Sequence, residues 1–111
     1  MDWSADINQA VPLFPATSSW STVGQNSYLN GYLRTESTLF DNRLYMRAAS
    51  RPEGPWSDPA LPVDLGAPAG AEMFFQHPEY GDGQSILLSY VVWLGPYRSE
   101  FQLVRVTLHQ A

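Results

Sequence analysis

The chain repeats itself. Asp2-Trp3-Ser4-Ala5-Asp6 followed by Val11-Pro12-Leu13 returns as Pro55-Trp56-Ser57-Asp58 followed by Leu61-Pro62-Val63, with the two Trp-Ser pairs 53 residues apart. Val23-Gly24-Gln25-Asn26 answers to Phe74-Phe75-Gln76-His77 at an offset of 51. Leu44-Tyr45-Met46-Arg47-Ala48 answers to Gln102-Leu103-Val104-Arg105-Val106 at an offset of 58. Three anchors in one order, separated by spacings that drift only as loops do, define a unit of roughly 50 to 60 residues. Each unit is a supersecondary element that has to bury a face against its neighbours.

The pattern within a unit is that of short strands. In the second, Phe74 to Pro78 reads as a strand, and Tyr80-Gly81-Asp82-Gly83 as a turn in which Asp-Gly tolerates positive φ. Ser85 to Trp93 is a strongly apolar strand and Leu94-Gly95-Pro96 breaks it. Phe101 to Leu108 then alternates, placing Val104, Val106 and Leu108 on one face. The first unit predicts strands over Gln25 to Leu29, Gly31 to Thr35 and Arg43 to Ala49, with a turn at Phe40-Asp41-Asn42. After the turn Pro52-Glu53-Gly54-Pro55, Trp56 to Leu65 reads as an outer segment interrupted by proline, which sheet edges tolerate. No stretch sustains helical periodicity over three turns. Four short strands per unit predict an all-β fold built of antiparallel four-stranded blades of a β-propeller, about two blades in all. Residues 1–16 then hold the outer strand of a preceding or closing blade, 17–66 the first repeat and 67–111 the second. Two blades do not close a ring, so the chain reads as a piece of a larger propeller or as a subunit of an oligomeric one.

Charge and composition narrow the partners. The formal net charge is −5 and all six basic residues are Arg, which argues against nucleic acid and against an acidic membrane surface. No apolar run exceeds a few residues, Tyr90-Val91-Val92-Trp93-Leu94 being typical, so no segment reads as a transmembrane helix. The first residues, with Asp2 and Asp6, do not read as a secretory signal, and the chain is compatible with an internal piece of a secreted parent. With no Cys, disulfides, thiol nucleophiles and Cys-based zinc sites are excluded. The residue pattern calls for no cofactor. Aromatic residues make up 14%, a load that suits pleated surfaces and also offers stacking faces to a neutral ligand.

The segment Arg47-Ala48-Ala49-Ser50-Arg51-Pro52-Glu53-Gly54-Pro55-Trp56-Ser57 resembles the R-x-A-x-x-P-x-G-P-W-S stretch of five-bladed propellers related to family 43 glycoside hydrolases, in particular an uncharacterised bacterial branch. Gln76-His77-Pro78-Glu79 through Ile86-Leu87-Leu88-Ser89-Tyr90, and the run from Glu100 to Leu108, resemble the last blade of that branch. The likeness covers most of residues 20–108. It implies a funnel at the ring axis, lined by innermost strands and facing a carbohydrate. Hydrolysis in that family takes three carboxylates, two of them flanking the glycosidic bond to protonate the leaving oxygen and activate water.

On this reading the axis-side residues are Gln25, Asn26, Tyr28, Asn30, Gln76, His77 and Trp93 as ligand contacts, with Glu72 as the one candidate catalytic carboxylate. Each has a plainer reading. His77 sits where a strand end caps a turn before Pro78, and Glu72 and Glu79 read equally as loop acids. Trp20, Tyr28, Tyr32 and Trp93 read as stacking faces or as core, and Trp3 and Trp56 as packing anchors. Arg47 and Arg105 lie opposite the apolar faces of their strands, where each would pair with a carboxylate or stack on a ring. No metal-ligand spacing, phosphate loop or Ser-His-Asp pattern is present. Three functions are therefore expected in turn: a glycan-binding propeller module, a glycoside hydrolase completed by other subunits or blades, and a self-assembling structural blade protein.

Overall fold

The computed structural model describes residues 4–12, 20–37, 43–60, 63–64, 70–81 and 83–109. The chain is all-β. Seven strands form two antiparallel meanders: β1 (Trp20–Asn26), β2 (Gly31–Ser37), β3 (Arg43–Ala49) and β4 (Val63–Asp64) in sequence order in the first sheet, β5 (Ala71–Gln76), β6 (Ser85–Gly95) and β7 (Arg98–Thr107) in the second. The only helical turns among the described residues are single 3-10 turns at Ile7–Gln9 and Pro78–Tyr80.

Side-chain chemistry sets most of the boundaries. Asn26 ends β1 because its Oδ1 accepts the Leu29 backbone N–H at 3.0 Å, and Asn30 completes the reversal at φ 51. An amide side chain that satisfies a backbone donor two or three residues on competes with the ladder, and Asn accepts the left-handed region at little cost. The strand expected over Gln25 to Leu29 is thus a turn from Ser27 onward, and β1 begins earlier, at Trp20. Pro96-Tyr97 links β6 to β7 directly, Tyr97 standing at φ 62, so the last strand starts at Arg98 rather than Phe101. The expected turns at Phe40-Asp41-Asn42 and at Asp82 lie outside the described residues, as does Trp3.

Beyond β3 the chain returns alongside it as the prolines require. Ser57 N–H donates to Ala48 O at 2.9 Å and Ala60 N–H to Met46 O at 2.8 Å; Val63 then pairs with Leu44 and Asp64 with Arg43. Ladder contacts thus occur only at selected residues of the segment. Trp56 is half-buried beside the preceding turn, donating its indole N–H to Pro52 O at 3.1 Å, and is not part of the central core. His109 is exposed.

The two sheets stack through one face each. From the first come Leu33 and Leu44; from the second and its C-terminal end come Ala71, Phe74, Ile86, Leu88, Tyr90, Val92 and Leu108. Phe74 and Tyr90 stack with ring centroids 5.3 Å apart. Val104 and Val106 pack at the margin, so the alternation of the last strand buries the expected face. β1 and β5 lie side by side and run the same way: Gln76 meets Thr22, and a Cβ on Gly24 would lie 3.9 Å from Pro78 Cγ. These contacted faces are called inner below, and the opposite faces outer.

One residue breaks the regularity of β5. Glu72 pairs with Val91 and Phe75 with Ser89, so three steps on β5 span two on β6, and Met73 takes φ 60. This is a β-bulge. It leaves Ala71, Phe74 and Gln76 facing inward and Glu72 and Phe75 outward.

Candidate functional site

The eight sequence-selected residues do not converge on one cluster. Gln76 and Asn26 lie between the sheets. Gln76 Nε2 donates to Thr22 O at 3.1 Å and Leu33 O at 2.8 Å, while its backbone N–H donates to Thr22 Oγ1 at 3.1 Å. Thr22 Oγ1 is in turn 2.9 Å from Thr35 Oγ1. Asn26, 2% exposed, donates from Nδ2 to Gly83 O at 2.8 Å. Both amides are thus consumed in fastening one sheet to the other. A buried polar group that is satisfied in this way rigidifies the fold. Gln25 lies on the outer face of the first sheet, exposed, its Nε2 3.4 Å from Tyr32 Oη. Tyr28 packs against the core from the turn, and Asn30 is exposed at its end.

Glu72, His77 and Trp93 share the outer face of the second sheet. Trp93 Nε1 donates to Glu72 Oε1 at 2.6 Å, a short charge-assisted geometry. Glu72 is only 4% exposed, and its Oε2 is buried with no hydrogen-bond partner. Ser37 Oγ is the other buried side-chain polar atom without a partner among the described residues. Such atoms are rare and each implies strain, a water, or a ligand group. Among the described residues, no hydrogen bond or ion pair ties a second carboxylate to Glu72, and no group of three or more His, Asp or Glu side chains is placed to hold a metal ion.

His77 has partners that sequence spacing did not reveal. Its Nε2 lies 2.7 Å from Ser89 Oγ and its Nδ1 3.5 Å from Glu79 Oε1. The order carboxylate, imidazole, hydroxyl is that of an activated serine, yet the surroundings are wrong for one. Ser89 is 2% exposed in the middle of the central strand, paired to Phe75 on one side and Leu103 on the other, so no carbonyl carbon reaches its oxygen. The arrangement anchors the end of β5, where His77 N–H also donates to Leu87 O at 3.0 Å.

A second constellation was missed for the same reason, that it depends on register. Arg34 and Arg47 stand directly opposite one another across β2 and β3. Glu36, 5% exposed, accepts from Arg47 Nε at 2.9 Å through Oε1 and from Arg34 Nε at 3.0 Å through Oε2. Like charges facing across a ladder repel, and the shared carboxylate offsets this. Arg47 thus pairs with a carboxylate as expected, whereas Arg105 is exposed and reaches only Ser85 Oγ at 3.3 Å.

The solvent-open part of the second sheet's outer face mixes apolar side chains with the polar Ser99, Arg105 and Thr107. Strand register sets Phe75, Ser89 and Leu103 in one row across the second sheet's outer face, with Val91 and Phe101 in the next and Trp93 beyond. Phe75 is 41% exposed, Leu103 64% and Phe101 70%. β7 is the last strand of its sheet, and no described strand lies along its free edge. No protein-family model matches the chain, and no curated protein matches it either.

Proposed function

We propose that the chain is a blade module of β-propeller type whose work is to assemble with further blades. The observation that carries this reading is the exposure of Phe75, Phe101 and Leu103 on the outer face of the second sheet, in a chain whose two sheets already stack through their inner faces. Sheets buried on one face only are ordinary, but their open face is normally polar. Here it presents Phe75, Phe101 and Leu103. The resemblance to five-bladed propellers and the side-by-side run of β1 and β5, which on this reading would be the strands nearest an axis, support it. Size-exclusion chromatography with light scattering tests it. A defined mass that is a multiple of 12.4 kDa is the expected result. A stable, non-aggregating monomer at high concentration would refute it.

A second reading, binding of a neutral oligosaccharide, is favoured by the Trp93–Glu72 pair. An indole face stacks on the apolar side of a sugar, and the half-buried Trp93 ring is held in place by its N–H bond to Glu72 Oε1. Titration with a panel of oligosaccharides, followed by tryptophan fluorescence, is expected to give a saturable change that Trp93→Ala abolishes. No response at millimolar sugar would end this reading. As a hydrolase, the chain would need a second carboxylate from another subunit or blade.

A further inference from the structure

The first sheet has a fourth strand and the second, among the described residues, does not. In the first, the segment that opens with Trp56-Ser57 covers β3: Ala48 N–H donates to Ser57 Oγ at 3.0 Å, Ser57 N–H to Ala48 O, Ala60 N–H to Met46 O, and Val63 pairs with Leu44. β7 occupies the place of β3 in the second sheet, and no described strand covers its outer edge over ten residues. An edge of that length with apolar side chains beside it is a template for a further strand.

A segment with the matching signature stands unused in the same chain. Trp3-Ser4, followed by Val11-Pro12, repeats Trp56-Ser57, followed by Leu61-Pro62. Residues 4–12 are exposed throughout, Ile7 at 83% and Val11 at 64%. Their hydrogen bonds are local: Asp6 N–H to Ser4 Oγ, Asn8 N–H to Asp6 Oδ1, and Ala10 N–H to Ile7 O. Charge fits as well, since the first twelve residues hold Asp2 and Asp6 with no basic residue, while β7 carries Arg98 and Arg105 against Glu100.

We infer that residues 4–12 of a second copy of this chain form the missing fourth strand on the outer edge of β7. Among the described residues no hydrogen bond joins 4–12 to β7, and each copy offers one such segment and one such edge. The contact is therefore heterologous, repeating from copy to copy until it closes a ring. This inference rests on the assembly reading and adds the segment and the edge.

The absence of native cysteine makes the test direct. Ser4→Cys and Thr107→Cys are made as separate chains, because Ser57, the counterpart of Ser4, bonds next to the counterpart of the β7 C-terminal end. Mixed under mild oxidation, the two variants are expected to give a heterodimer linked by a disulfide between positions 4 and 107 as the main product, at least tenfold above the homodimers of either alone. Replacing residues 4–12 with a Gly-Ser stretch of equal length is expected to leave the circular dichroism unchanged and lower the solution mass to 12.4 kDa. An oligomer that survives this replacement and gives no heterodimer would overturn the strand exchange and leave the assembly reading standing. A wild-type monomer would overturn both. An intramolecular disulfide as the main product of the double variant would make the occupant the chain's own segment and overturn the second copy.

Discussion

Asn26→Ala separates a structural amide from a ligand-binding one. Asn26 is 2% exposed and makes two hydrogen bonds, accepting from Leu29 N–H at 3.0 Å and donating to Gly83 O at 2.8 Å. The first closes the β1–β2 turn; the second ties that turn to the loop before β6. Each bond contributes about 1 kcal/mol net, and each backbone group left without a partner adds a penalty of about 1–3 kcal/mol when buried. Leu29 and Gly83 are only half-buried, so water recovers part of that penalty and the total comes to about 2–3 kcal/mol. With an m-value of about 1–3 kcal/mol per molar urea, the unfolding midpoint falls by about 1–2 M. Asn26→Asp keeps the acceptor for Leu29 but sets a carboxylate oxygen against Gly83 O, and is expected to lose at least half as much. Urea unfolding followed by circular dichroism reads both. An unfolding free energy for Asn26→Ala within about 0.5 kcal/mol of wild type would refute the reasoning and return Asn26 to the ligand-binding candidates.

Four further outcomes are expected from the same assay. Phe74→Ala removes a fully buried ring stacked on Tyr90 and costs about 3–5 kcal/mol. Gly31→Ala places a Cβ 2.4 Å from Ala49 O, a backbone atom that cannot swing away, and costs about 1–3 kcal/mol even though its φ is ordinary. Glu36→Gln removes the charge shared by Arg34 and Arg47 and costs about 3 kcal/mol, whereas Arg47→Met, which also removes the facing like charge, costs less. Ser89→Ala takes the hydroxyl from His77 Nε2 and costs about 1 kcal/mol; covalent labelling of Ser89 by a fluorophosphonate in the wild type would contradict its structural assignment.

Local patterns in the sequence revealed the parts of the fold that local chemistry decides. The alternation of Val104, Val106 and Leu108, the break at Gly95-Pro96 and the proline-limited return along β3 all depend on neighbouring residues and were legible. The turn at Ser27–Asn30 was not, because Gln25-Asn26-Ser27-Tyr28-Leu29 has strand-like composition and only the Asn26 side chain ends it. Residues in the candidate site were the hardest to read, since their partners are distant in sequence. Gln76 looks like an axis-facing ligand group until Thr22 and Leu33 are seen to take its amide, and His77 has no visible partner until register brings Ser89 beside it. In each aligned pair, Gln25 with Gln76 and Asn26 with His77, one residue lies between the sheets and the other on an outer face.

The bulge at Met73 bears on how such a repeat changes length. Glu72 and Phe75 keep the outer face and Ala71, Phe74 and Gln76 the inner one, so the alternation on either side of the extra residue is that of an unbroken strand. Gaining or losing a residue at that point leaves every side chain on its own face. Most single-residue changes in a strand invert all that follows and are eliminated with the core they expose. A strand with such a bulge accepts a one-residue change of length there while the sheet still stacks on its neighbour.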